Sequence, residues 1–207
     1  MPLITDVKPQ AKRQGYYNIF IDGKYALALS EADLSLFSLL PNQSIDDSTL
    51  ADLHRAHSGS KCYNCAIRFL AIRPRSTTEV IAYLTTRKGY DSQDAKLACD
   101  KLTQQGYLDD TEFADMWVRN RMLLSPKPVS VLRMELASKG VDKDTIAAAV
   151  AKVSDAKQLE CLSQLVESKA RQPKYQNKQK LIEYLARKGY PYGLIKQAIQ
   201  ASVFFED

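Results

Sequence analysis

The sequence predicts a mainly α-helical protein, with three tandem three-helix units following a small N-terminal β-hairpin module. Three observations carry this prediction. A Lys-Gly pair preceded by an apolar helical pattern occurs three times, as Lys88-Gly89, Lys139-Gly140 and Lys188-Gly189. The glycines lie 51 and 49 residues apart, a period at which tandem supersecondary units complete each other's cores. Finally, the β-rich runs Tyr16–Ile21 and Tyr25–Leu29 flank Asp22-Gly23-Lys24, and Asp-Gly between such runs is a strong hairpin signal.

Residues 1–60 form the N-terminal module. Ile4 to Val7 is a candidate edge strand before the loop Lys8–Gly15, and the hairpin follows. Ser30 caps a helix from Glu31 to about Leu40, ended by Pro41-Asn42, and a second helix covers Ser48 to Ala56. Strands are expected only before about Ser30. The module is short for a core of its own and is expected to pack on the first three-helix unit.

Residues 61–106 are the first unit. Its first helix carries Cys62, Cys65, Ile67 and Leu70. Ser76 and Glu79 then have the S-x-x-E spacing of a capping box. Val80 and Leu84 share a face at i and i+4, and Gly89 supplies a left-handed C-terminal turn after a lysine that suits the helix dipole. A third helix opens at Asp91 or Ser92, buries Ala95, Ala98 and Leu102, and stops at Gly106. One irregularity stands out: the step from Leu84 to Gly89 is one residue longer than Leu136 to Gly140 or Leu185 to Gly189, which predicts a slightly displaced turn.

Residues 107–154 are the second unit. Asp109-Asp110 read as an N-cap and a first-turn acid. Phe113, Trp117 and Val118 face inward, with Arg119 and Arg121 on other faces. Trp117 is expected to be largely buried between the first and second units. Ser125-Pro126-Lys127-Pro128 breaks the chain before the helix of Leu132 and Leu136, and Ile146 with Val150 mark the third helix. Residues 155–207 are the third unit, built on Leu159, Leu162, Leu165 and Val166, then Leu181, Ile182 and Leu185, then Leu194, Ile195 and Ile199. Its loop Arg171–Asn177 is polar, and Tyr175 is expected to be exposed there. Such a tyrosine could stack on a base, fill a protein pocket or pack locally.

The composition is that of an ordinary globular chain, 45% hydrophobic and 26% charged over 207 residues. No apolar run approaches the ~18 residues of a membrane span, and the start lacks the basic-then-apolar order of a signal peptide, so the expected location is cytoplasmic. The net charge of +5 is uneven, because residues 156–200 hold nine basic and three acidic side chains. A basic end suits nucleic acid or an acidic protein surface, though a solvated lysine-rich face would look the same.

No catalytic constellation is present. There is no phosphate-binding glycine loop, no dinucleotide fingerprint and no nucleophile elbow, so no enzyme, catalytic residue or cofactor is expected. His54-x-x-His57 and Cys62-x-x-Cys65 are zinc-ligand types, but the pairs are crowded together and the cysteines continue an apolar helical pattern. Helix packing is the preferred reading, and no metal is expected.

The motifs Arg73-Pro74-Arg75-Ser76, Lys88-Gly89-Tyr90, Gly106-Tyr107-Leu108-Asp109-Asp110 with Phe113-Ala114, and Glu135-Leu136 with Lys139-Gly140-Val141 together resemble the RecX regulatory proteins. The hairpin module is similar to an extension found in some members. The resemblance implies three helix-turn-helix-like repeats in an elongated, curved array. It also implies binding to the RecA recombinase filament, with inhibition of its ATPase, strand exchange and filament growth, and hence a role in recombination and DNA repair. The expected partner is the RecA filament, with the single-stranded DNA inside it as a second contact; no membrane contact is expected, and the chain is read as a monomer. Candidate contact residues are Arg73, Arg75, Arg119, Arg121, Arg171, Lys174, Tyr175, Lys178, Lys180 and Arg187. The competing class is a helix-turn-helix-like protein gripping DNA directly through Arg73, Arg75, Arg87 and Lys88. Lys88, Lys139 and Lys188 are read as helix caps.

Overall fold

The computed structural model describes residues 1–205, which group into two units: residues 1–75 with 79–108, and residues 76–78 with 109 onward. The first unit begins with β1 (Leu3–Pro9), β2 (Tyr16–Ile21) and β3 (Lys24–Ser30), followed by α1 (Glu31–Leu36) and β4 (Gln43–Ser44). The four strands form an antiparallel sheet in the order β3-β2-β1-β4. The hairpin forms as its turn residues require: Asp22 and Gly23 both take positive φ, 50° and 76°, so that Ile21 pairs with Lys24.

Three expectations for this module need correction. A strand occurs beyond Ser30, because Asn42 (φ 64°) turns the chain and its N–H reaches the Ile4 carbonyl at 2.7 Å, laying β4 on β1. The module has a core of its own, with Ile4, Ile19, Leu27, Leu29, Leu39 and Ile45 closed by Leu53. And the two helices expected around Gly59 are one, α2 (Asp47–Leu70), 24 residues long. A mid-helix glycine costs only ~1 kcal/mol. Here both ends of the helix are held, by Leu53 in the sheet cluster and by Cys62 and Ala66 in the next.

His57, on the same helix, fastens it to the sheet: its Nδ1 lies 2.6 Å from the Ala28 carbonyl oxygen. Burial lowers its pKa below the usual histidine value, against the raising effect of that bond. The unfolded chain therefore binds a proton that the folded chain resists, and stability is full above about pH 6.5 and falls as pH drops through the folded value. Thermal melts between pH 7.5 and 5 are expected to show this loss, and His57→Gln should flatten that part of the profile.

Next comes α3 (Thr77–Ala82), whose first two residues group with the second unit and the rest with the first, then a π-helical turn at Tyr83–Arg87 and α4 (Ser92–Gln104) in the first unit. The π turn is where the extra residue goes. Lys88 N–H bonds back five residues to Tyr83 and Tyr90 N–H six residues to Leu84, whereas Val141 and Tyr190 N–H reach back five, to Leu136 and Leu185. A single π turn absorbs one inserted residue without breaking the helix. It leaves Val80 and Leu84 as deeply buried as Leu132 with Leu136 and Leu181 with Leu185, all at 0% exposure.

The second unit holds α5 (Asp110–Leu124), α6 (Val129–Ser138), α7 (Lys143–Ala151), α8 (Asp155–Ala170), a 3-10 turn at Pro173–Tyr175, α9 (Lys178–Arg187) and α10 (Tyr192–Gln200). It contains two separate cores. One gathers Phe113, Ala114, Val118, Leu132, Leu136 and Ile146; the other gathers Leu162, Val166, Leu181, Leu185, Ile195 and Ile199. Each helix start is set by its sequence. The Asp109 carboxylate accepts from Thr111 and Glu112 N–H, Asp142 from Asp144 and Thr145, and Asn177 from Lys180.

A contact recurs within this unit. Thr78 Oγ1 donates to the Gly140 carbonyl at 3.1 Å, and Ser130 Oγ donates to the Gly189 carbonyl at 2.7 Å. Thr78 stands six residues before Leu84, and Ser130 six before Leu136, so the same position of one repeat's second helix seals the next repeat's Lys-Gly turn. Ser76 adds a 2.5 Å bond to the Lys139 carbonyl, and the Asp110 carboxylate accepts from Thr77 N–H at 2.7 Å. Asp110 is therefore a first-turn acid with a second task.

Candidate partner-binding surface

The three Lys-Gly lysines are C-cap residues, as expected, and each also lies near an aromatic ring. Lys88 Nζ is 5.5 Å from the Tyr83 centroid, Lys139 5.4 Å from Trp117 and Lys188 5.7 Å from Tyr184. A ring at this corner favours a held cation there.

The candidate arginines of the first two repeats are mostly engaged. Arg73 pairs with Glu79 at 3.0 Å. The Arg75 guanidinium lies 3.7 Å over Phe69, which itself stacks on Tyr83 with centroids 3.7 Å apart. Burial, reinforced by neighbouring Arg73, lowers the Arg75 pKa. Arg121 donates from Nε to Glu135 at 2.8 Å and sits 4.7 Å over Trp117. Arg119 is exposed on α5. Arg73 and Arg75 are neighbours that both act on Glu79.

Trp117 is largely buried, as expected, with part of the ring still accessible. It packs on the second core, with its Nε1–H donating to Glu135 at 2.9 Å. A position beside a charged pair keeps one edge of the ring near water. Trp117→Ala should therefore cost ~2–3 kcal/mol in a denaturant melt, less than the ~3–5 of a fully buried large aromatic.

The third repeat is different. Arg171, Lys174, Lys178, Lys180 and Arg187 are all exposed, and none forms an ion pair among the described residues. Lys178 and Lys180 occupy the first turn of α9, where the helix dipole disfavours positive charge. By contrast α1, α2, α4, α5, α7 and α8 each carry an acid in the first turn. Lys178 and Lys180 thus stand against a local preference without an ion pair among the described residues, while Lys174 Nζ lies 5.6 Å from the Tyr175 ring centroid, and this end is the candidate contact surface. Tyr175 is not part of it. The ring is 9% exposed and packs against Tyr184, centroids 4.8 Å apart, because the 3-10 turn folds the polar loop back over the third core.

The zinc-type residues are dispersed. His54 is exposed, His57 holds Ala28, and Cys62 is buried with its thiol pushed up to about 12, mainly by burial. Among the described residues no three histidines, cysteines or carboxylates are placed to hold a metal ion, and no helix is long and apolar enough to cross a membrane.

Three three-helix units with matching cores, sealed turn to helix and ending in a basic face that forms no ion pair among the described residues, define a helical-repeat protein whose candidate site is a basic contact surface. Residues 62–102, 109–150 and 156–199 match, in order, the first, second and third three-helix domains of RecX. The chain belongs to the RecX family.

Similar proteins agree. A regulatory protein RecX of Oceanobacillus iheyensis is 30% identical over 216 residues, spanning 100% of this chain and 79% of that protein. One from Lactobacillus delbrueckii subsp. bulgaricus is 38% identical over 155 residues, 75% of this chain but only 56% of the relative's length. A crystal structure of a regulatory protein RecX superposes with a TM-score of 0.83 at 25% identity, covering 96% of this chain and 98% of that one. RecX from Lactobacillus salivarius gives 0.64 at 29% identity, over 69% of this chain and 95% of that one.

Proposed function

We propose that this chain is a non-enzymatic cytoplasmic regulator that binds the RecA filament on single-stranded DNA and restrains its ATPase, strand exchange and growth, so modulating recombination and DNA repair. The family supports the partner. The observation that carries the reading on this chain is the third repeat's exposed Arg171, Lys174, Lys178, Lys180 and Arg187, none of which forms an ion pair among the described residues. A filament of protein and nucleic acid offers such a surface both carboxylates and phosphates. Direct gripping of DNA through the first repeat is less favoured, since Arg73 and Arg75 are already occupied by Glu79 and Phe69.

The test is the RecA ATPase on single-stranded DNA, with and without this protein, beside a binding measurement of the protein to the same DNA alone. The expected result is ATPase inhibition at protein concentrations where DNA alone is bound weakly. An unchanged ATPase rate at saturating protein would overturn the reading.

A further inference from the structure

Between α9 and α10 runs a groove of about 120 Å³ lined by Ile182, Tyr192, Ile195, Ile199 and Gln200, with Lys178 and Lys196 at its sides and no acidic residue. The volume is close to the ~150 Å³ of an apolar cavity that accepts a benzene ring, so it has room for one branched or aromatic side chain. Tyr192, 66% exposed, stands where the equivalent first residues of α4 and α7 are Ser92 and Lys143. At the positions of Lys178 and Ile182 the second repeat has Val129 and Arg133. The first repeat has Thr77 and Ile81 there and Lys96 at the position of Lys196, so Lys178 and Tyr192 are what set the third repeat's groove apart.

Its place in the repeat pattern indicates what covers it. Thr78 and Ser130, in the first turns of α3 and α6, each hold the Lys-Gly turn of the following repeat. The equivalent residue of the third repeat is Gln179, exposed between Lys178 and Lys180. The groove includes Lys178 of this helix start, which in the other two repeats packs on the following repeat of the same chain, whereas Gln179, among the described residues, bonds only within its own helix, to Glu183 at 3.1 Å. We propose that the α9–α10 groove docks an acidic protein segment, which inserts one apolar side chain between Tyr192 and Ile182 and sets carboxylates against Lys178 and Lys196. This rests on the reading above that the partner is RecA, and assigns it a contact that charge alone does not supply. A protein segment fits better than nucleic acid, because the lining is aliphatic and shaped for a side chain, with a single aromatic edge for stacking.

The test uses the full chain and a Tyr192→Glu/Lys196→Glu variant, whose exposed substitutions should leave the melting temperature unchanged. The probe is a fluorescein-labelled peptide of two acidic residues, phenylalanine and two acidic residues, with a serine-for-phenylalanine control and a labelled oligo-dT. The parent is expected to bind the phenylalanine peptide at least fivefold more tightly than the variant does, and more tightly than it binds the serine control. The variant should also inhibit the RecA ATPase at least fivefold less well. Equal binding of both peptides, equal binding by parent and variant, no peptide binding at all, or an oligo-dT affinity that alone responds to the variant would each overturn the proposal. If the parent binds the phenylalanine peptide selectively yet leaves RecA untouched, the groove stands and the RecA reading fails. If both parent and variant inhibit RecA equally, the RecA reading stands and the groove fails.

Discussion

Gly140→Ala is expected to destabilise the second unit by roughly 2–5 kcal/mol, whereas Gly89→Ala should cost only ~1–2 kcal/mol. Both glycines are left-handed, at φ 75° and 72°, so both substitutions carry the ~1–2 kcal/mol steric cost of that conformation. Only Gly140 adds a collision. A Cβ there would lie 2.3 Å from Thr78 Oγ1 and 2.5 Å from its Cβ, while at Gly89 nothing lies within 4 Å. Relieving that overlap means moving the Thr78 backbone or losing the hydroxyl's bond to the Gly140 carbonyl, an overpacking cost of ~1–3 kcal/mol. Urea melts of the two variants measure the difference directly, and Thr78→Gly in the Gly140→Ala background should recover part of it. Equal losses at the two glycines would mean that the helix-to-turn seal is not a tight contact.

Reversing Lys174, Lys178 and Lys180 together to glutamate is expected to weaken RecA inhibition by roughly tenfold or more. The inhibition that remains should depend less on salt, since fewer screened contacts would be left. Folding should be untouched, because none of the three forms an ion pair among the described residues and solvated lysines contribute little to stability. At Lys178 and Lys180 the change even favours the N-terminal dipole of α9, so the melting temperature should hold or rise slightly. A triple variant that inhibits RecA like the parent at every salt concentration would reduce the basic third repeat to a solvated face.

The sequence by itself determined the repeat, the hairpin and the centre of each core. Leu84, Leu136 and Leu185 are legible because a helix shows its buried face as an i, i+4 pattern, and the Asp22-Gly23 turn because few residues accept left-handed backbone. Both signals are local, carried by the residues that obey them. Even the odd residue between Leu84 and Gly89 was visible, though not its resolution as a π turn, which depends on the fixed positions of the cores before and after it.

What only the tertiary structure decided is which polar and aromatic residues are already taken. Arg121 and Trp117 share Glu135, 14 and 18 residues away. Tyr175 turns inward onto Tyr184, and Gly140 is pressed by Thr78 from 62 residues earlier. The continuity of α2 through Gly59 likewise depends on cores at both of its ends. Short polar motifs in the chain state what a side chain can bond to. Whether it is free to meet a partner depends on residues far along the sequence that no local period encodes. That is why the first two repeats lose most of their candidate arginines to internal contacts, while the lysines of α9 form no ion pair among the described residues.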